Sequence, residues 1–254
     1  MYVACSTLCF ARHSLEDTLR ILGELRFNKF DVVIHENGRQ LKPSEVAADV
    51  TVAANRLRSG PGLVPAAFSV QIEAAGEEEH HRQFRAVCRL ARISTVPVLT
   101  IPVAATGTPL DFEVRRLTRL VHLADAEGVL LAVPTRIGTL TEAPDAAVAL
   151  CQRVPNLGLT LDPSHYIAGP HQGGNYDQVF PYVRHVYLRD TGHGPNQFQV
   201  RVGQGGVEYG RIIAQLARQH YDRVLTIDIH DVPDSPVAME PEVRKLKYLL
   251  ESLL

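Results

Sequence analysis

Asp162 and His165 stand three residues apart in Leu161-Asp-Pro-Ser-His165, directly after an apolar run. A carboxylate and an imidazole at that spacing can share one cation or work as a hydrogen-bonded acid/base pair. An Asp-Pro turn with a histidine nearby is also ordinary loop chemistry, so the pair carries meaning only in company. Two-residue alternation supplies some: Asp228 shares a strand face with Thr226 and His230, and the same parity groups His185, Tyr187 and Arg189. His35-Glu36, Arg136 and His193 also follow apolar runs. Arg136, Arg189 and Arg201 have the forked donors that grip a carboxylate or a phosphate. Among them Arg189 stands out, because the adjacent Asp190 is placed to orient it.

These residues need a scaffold, and the chain alternates regularly enough to provide one. Short, unbroken Val/Ile/Leu-rich runs occur at Tyr2–Thr7, Phe30–His35, Leu63–Val70, Val96–Val103, Gly128–Val133, Leu157–Leu161, Val183–Leu188 and Arg223–Ile229. Continuous rather than alternating apolar character marks strands covered on both faces. Between them lie helical patterns. Ser14 caps a helix to Leu25, Pro43 opens one to Leu57, and apolar three- and four-residue spacing runs through Glu77–Ile93 and Phe112–Ala126. Further helices are expected from Pro144 to Val154, over Tyr209–Gln219 and over Glu242–Leu253, with a weaker one around Asn175–Tyr182. Strict strand–helix alternation implies parallel strands with right-handed crossovers, and this length favours a closed (β/α)8 barrel over an open sheet. No linker divides the 254 residues, so one domain over 1–254 is expected. In such a barrel the residues named above fall at the C-terminal strand ends, where barrels carry their chemistry.

Composition narrows the chemistry. The formal charge of −2 and the absence of a basic tract give no field for nucleic acid. No GxGxxG follows the first strand and no GxxxxGK[ST] occurs, so no nucleotide cofactor is expected. Lysine is found only at Lys29, Lys42, Lys245 and Lys247, none at the end of a core strand, which disfavours Schiff-base catalysis. No apolar stretch approaches a membrane span, and the N-terminal residues lack a secretory pattern. Cys5, Cys9, Cys88 and Cys151 form no disulfide framework, so a cytoplasmic protein with reduced thiols is expected.

Several segments together resemble the xylose-isomerase-like TIM-barrel superfamily, which holds sugar epimerases, inosose-handling enzymes and endonuclease-IV-like proteins. They are Ala4-Cys-Ser-Thr-Leu8, Leu159-Thr-Leu-Asp-Pro-Ser-His165, His185-Val-Tyr-Leu-Arg-Asp190, Gly203-Gln-Gly-Gly-Val-Glu-Tyr209 and Leu225-Thr-Ile-Asp228, in family order over nearly the whole chain. The resemblance implies a divalent cation (Mn, Mg or Zn) held by a Glu on strand five, the Asp of the DxxH turn, a His on strand seven and a Glu on strand eight. Here Asp162 and His165 match. Pro134 stands at the first position, Tyr187 at the third, and Asp228 replaces the last Glu with a shorter carboxylate. A reduced metal set of Asp162, His165 and Asp228 is the corresponding expectation. Endonuclease-like members use a further Asp-x-His, where this chain has Gln197-Phe198-Gln199, and amides do not replace those ligands.

The activity so implied is isomerisation or epimerisation of a sugar, sugar acid or inositol derivative by proton abstraction next to a carbonyl. His165 or Asp162 is the expected base and Asp228 its partner, with Tyr187 or Arg189 stabilising an enediolate. Arg189, His35, Glu36, Arg136 and His193 are the expected substrate-binding residues. The Gly203–Gly206 turn offers backbone N–H groups to an anionic substrate. Tyr166, Tyr176 and Tyr182 are weighed as a wall for a sugar ring against plain core packing. The alternatives are a non-catalytic sugar- or polyol-binding barrel, motivated by Pro134 and Tyr187, and a related lyase or dehydratase. A homo-oligomer through the barrel helices is expected on general grounds only.

Overall fold

The computed structural model describes residues 1–194, 197–232 and 238–254. Eight parallel strands close into a barrel in sequence order: β1 (Tyr2–Ser6), β2 (Lys29–His35), β3 (Val64–Gln71), β4 (Val98–Thr100), β5 (Leu130–Pro134), β6 (Gly158–Leu161), β7 (Val183–Leu188) and β8 (Val224–Ile227). β8 pairs back onto β1 through Tyr2–Val224 to Cys5–Ile227, which completes the (β/α)8 barrel. The strands are buried along almost their whole length, as their unbroken apolar runs require.

The outer ring comprises α1 (Leu15–Glu24), α2 (Pro43–Ala48), α3 (Val50–Leu57), α4 (Glu77–Ile93), α5 (Leu110–Asp125), α6 (Pro144–Arg153), α7 (Ser164–Ile167), α8 (Tyr209–Arg218) and α9 (Met239–Glu251). Ser14 caps α1 by accepting from Asp17 N at 3.1 Å. The single helix expected from Pro43 to Leu57 is two. Asp49 is extended (φ −152°), and its carboxylate accepts from Thr51 N and Val52 N, so a second N-cap interrupts the run. The Asn175–Tyr182 region forms a 3-10 helix over Asp177–Tyr182, with Pro181 inside it. No helix among the described residues is long and apolar enough to cross a membrane.

The barrel interior is layered. Ala4, Ala66, Ala67, Val98, Ala132 and Val224 form a small apolar plug at the N-terminal end. Above it the filling turns polar: Thr100 Oγ1 lies 2.7 Å from Thr160 Oγ1, and His185 Nε2 lies 2.8 Å from Thr226 Oγ1. Asp31 enters the same layer from β2, 3.7 Å from His185 and fully buried. Larger apolar side chains such as Phe30, Phe68 and Phe84 belong to the main hydrophobic cluster instead. A barrel plugged below and polar above directs its chemistry to the upper mouth.

Candidate active site

Alternation along β7 and β8 brings the chemistry to that mouth. His185, Tyr187 and Arg189 project inward at successive levels, as do Thr226, Asp228 and His230. Asp162 arrives from the end of β6. Its backbone is pinned by Thr135, whose hydroxyl accepts from Asp162 N at 2.9 Å. The Asp-Pro turn then starts α7, and Asp162 Oδ1 accepts from the Ser164 hydroxyl at 2.5 Å and from Ser164 N at 3.1 Å. That turn presents His165 on the cavity wall.

Asp162, Ser164, His165, Asp228 and His230 meet at one guanidinium. Arg189 is 4 % exposed, and each of its five N–H donors has an acceptor. Nε donates to the Phe198 carbonyl at 3.1 Å. Nη1 donates to His230 Nε2 at 2.7 Å and to the Asp228 carbonyl at 3.4 Å. Nη2 donates to Asp162 Oδ2 at 2.6 Å and to Ser164 Oγ at 2.7 Å. His165 Nε2 lies 3.5 Å from Nη2, and Asp228 Oδ2 lies 3.7 Å from Nη1. His230 Nε2 also lies 3.1 Å from Asp228 Oδ2, so the ring edge stands between the guanidinium and that carboxylate. Gln199 fixes the His230 backbone from both sides, donating to its carbonyl at 3.0 Å and accepting from its N–H at 2.7 Å.

The electrostatics follow from this packing. Burial works against the Asp228 charge; the His230 ring, the Arg189 guanidinium and the Ser6 hydroxyl more than offset it and hold the carboxyl at about 2. Burial lowers His165 below its ordinary value, against the pull of Asp162 and with the help of Arg189 and Arg136. Its imidazole is therefore neutral at pH 7. His165 Nδ1 is buried without a hydrogen-bond partner, and the ring packs on Phe198 with centroids 5.4 Å apart. Tyr187 is buried edge-on to His185 at 4.7 Å, and burial together with Asp31 and Asp228 pushes its phenol well up. Burial, then the Asp228 charge, also raises Asp31 well above the usual carboxylate range. Burial pushes His185 the other way, to about 3.

The mouth opens into a cavity of about 860 Å³, lined among others by His35, Arg136, His165, Gln199, Arg201 and His230. The expected residues Asp162, His165, Asp228, Tyr187, Arg189, His35 and Arg136 thus share one site. His35 is half-buried there, and burial lowers its pKa. Glu36 and His193 do not line the cavity. Glu36 turns to the start of α2, accepting from the Ser44 hydroxyl at 2.5 Å and from Ser44 N at 3.2 Å. His193 lies over Gly206, where a Cβ would meet its ring at 2.4 Å.

Two further expectations change. Asp190 does not orient Arg189, because neighbouring strand residues face opposite ways. It accepts instead from Thr191 N, Gly203 N and Gly205 N, at 3.0, 2.7 and 3.0 Å. The N–H groups of the Gly203–Gly206 turn that were expected to meet a substrate are thus engaged within the protein, those of Gly203 and Gly205 with Asp190, that of Gln204 with the Arg201 carbonyl and that of Gly206 with the Thr191 carbonyl. Gly205 is required at this approach, since a Cβ there would meet Asp190 Oδ1 at 2.2 Å. Tyr166 and Tyr176 pack against each other in the core, ring centroids 5.2 Å apart and tilted by 30°, and, like Tyr182, lie off the cavity. His230 and Gln199 are central here although neither was put forward for this role. The parity of His230 with Asp228 was the available signal.

A divalent cation does not fit this donor set as arranged. The Asp162 and Asp228 carboxylates and the His165 and His230 imidazoles converge on the Arg189 guanidinium rather than on a free point. Pro134 brings no ligand, and Tyr187 keeps its proton. No group of three or more His, Cys, Asp and Glu among the described residues is placed to hold a metal ion.

A closed parallel barrel with a polar strand-end mouth defines the class: a (β/α)8 protein with a small-molecule-sized cavity at its C-terminal face. Residues 14–249 match the xylose isomerase-like TIM barrel family, and the chain belongs to it. Among solved structures it is similar to a D-allulose 3-epimerase from Methylomonas sp., at 14 % identity and TM-score 0.76, covering 100 % of this chain and 98 % of that one. It is similar to the IolI protein with a bound zinc atom, at 16 % identity and TM-score 0.75, with the same coverages. A xylose isomerase-like protein from Mycobacterium smegmatis in complex with magnesium gives 17 % identity and TM-score 0.74, covering 100 % and 97 %. No curated protein matches the chain.

Proposed function

We propose that this protein is an isomerase or epimerase of a small carbohydrate-like molecule, moving a proton at the carbon next to a carbonyl. The observation that carries the proposal is the pair of imidazoles, His165 and His230, set against the two terminal nitrogens of one fixed guanidinium inside the mouth. His165 lines the cavity with a neutral imidazole, so it is the base that takes the proton. His230, beside the other terminal nitrogen, returns a proton from its own side. Asp162 and Asp228 are positioning residues, because their carboxylates are engaged with Arg189. Although every Arg189 N–H is spent, its charge remains beside the reaction and favours the developing enediolate. Family membership and the epimerase among the structural neighbours support the reaction class.

The cavity also favours a substrate class. Among the described residues Arg136 and Arg201 line it with no hydrogen-bonded carboxylate, whereas Asp162 and Asp228 are matched by Arg189, and Glu242 by Lys245 at 2.7 Å. Two guanidinium groups beside three imidazoles suit a sugar acid or a phosphorylated polyol. A binding barrel without chemistry is the rival reading, favoured by Pro134 at the position where the family pattern has a Glu. Dehydration of a β-hydroxy carbonyl compound would begin with the same proton abstraction, and product analysis separates it from isomerisation.

Solvent-deuterium exchange over a panel of ketoses, sugar acids and their phosphates tests the proposal. Deuterium entering next to the carbonyl in the wild type, and lost in both His165→Gln and His230→Gln, is the expected result. A ligand that binds the mouth and never exchanges establishes the binding barrel instead.

A further inference from the structure

We propose that the Arg189 guanidinium is a resident cation, holding the place among Asp162, His165, Asp228 and His230 and keeping a divalent metal out. The inference stands apart from the proposed reaction, because it concerns only what the mouth binds.

Three independent features of the site converge on it. The first is stoichiometry: the guanidinium has five donors, and Phe198 O, Asp228 O, His230 Nε2, Asp162 Oδ2 and Ser164 Oγ take one each. A metal arriving at the same carboxylates would have to strip all five contacts and leave a buried guanidinium unsolvated. The second is charge. One positive group lies between two carboxylates that are each 5 % exposed, so both have a counter-ion without any imported ion. The third is what surrounds it. Pro134 supplies no donor atom, the Tyr187 phenol is held protonated, and the Asp228 carboxylate lies 3.7 Å from Arg189 Nη1. Each change removes a reason to bind metal, and Arg189 fills the gap they leave.

Removing the guanidinium should therefore create a metal site. The experiment is calorimetric titration of chelator-treated, full-length protein with MnCl2 and with ZnCl2, comparing wild type, Arg189→Ala and Arg189→Ala/Asp162→Asn. The expected result is one ion per chain on Arg189→Ala, at least about a hundredfold tighter than on the wild type. Asp162→Asn in that background should abolish it, which separates the mouth from surface histidines. Melting temperature gives a second readout: Mn or Zn should raise that of Arg189→Ala and leave the wild type unmoved. Should Arg189→Ala fail to fold, Arg189→Gln keeps most of the volume without the charge, and the same titrations apply to it. The proposal is overturned if wild type binds one ion as tightly as the variant with dependence on Asp162, or if the folded variant binds none.

Discussion

Replacing Arg189 by Met keeps the volume of the buried stem and removes the charge with its five donors. Two carboxylates, Asp162 and Asp228, are then left buried with no full counter-charge. Breaking a buried pair from one side costs about 3–5 kcal/mol, against about 5–15 kcal/mol for a whole domain. For a chain of this size that corresponds to a fall in melting temperature of roughly 6–20 °C. The loss should depend on pH, and its sign follows from the carboxylates. In the wild type Asp228 is held at about 2 against an ordinary 3.8, so its contribution is present above pH 3.8 and lost as pH falls through about 2. That shift corresponds to about 2 kcal/mol. In the variant the Asp228 carboxyl loses the Arg189 charge and burial raises it, so the unfolded state holds its charge more readily than the folded one. Its protonation on acidification then relieves the deficit. Urea unfolding at pH 7 and again near pH 4.5 measures both effects. A cost below about 1 kcal/mol at pH 7, or a deficit equal at the two pH values, would refute the pairing scheme.

Other expectations are more local. Asp49→Ala should cost about 1 kcal/mol in urea unfolding, because it removes the cap shared by Thr51 N and Val52 N. Asp190→Ala should speed hydrogen exchange at Gly203 and Gly205 by about a hundredfold, since their N–H groups lose a buried carboxylate acceptor. The acid limb of the kcat/KM profile should fall below about pH 6.5, because a base whose pKa is lowered stays neutral further into acid. An acid limb above that value would remove His165 from the role of base.

The barrel was legible because each buried strand is an unbroken apolar run, and each crossover carries its own cap or period. β7 falls where its Val183–Leu188 pattern put it, and α4 spans the expected Glu77–Ile93. The break at Asp49 was hidden because the apolar spacing continues across it, while the capping carboxylate acts only locally. At the mouth, parity grouped Arg189 with Tyr187 and His185, and Asp228 with His230, but parity does not say which partner a side chain meets. The adjacent Asp190 looked like the natural orienter of Arg189, whereas the strand pleat sends it to the glycine turn. The real partners come from β6 and β8, 27 and 39 residues away in sequence. Such contacts follow from barrel closure and from no local pattern. Glu36 was misplaced for a related reason: a strand-end carboxylate can serve a helix start as readily as a cavity.

One measurement bears most directly on a guanidinium-centred proton-transfer site. It is solvent-deuterium exchange by chelator-treated wild-type protein on its best substrate, with and without added Mn. Such a site predicts exchange at a rate unchanged by the chelator or by Mn, falling at least about a hundredfold in His165→Gln. Exchange abolished by the chelator and restored by Mn would contradict it.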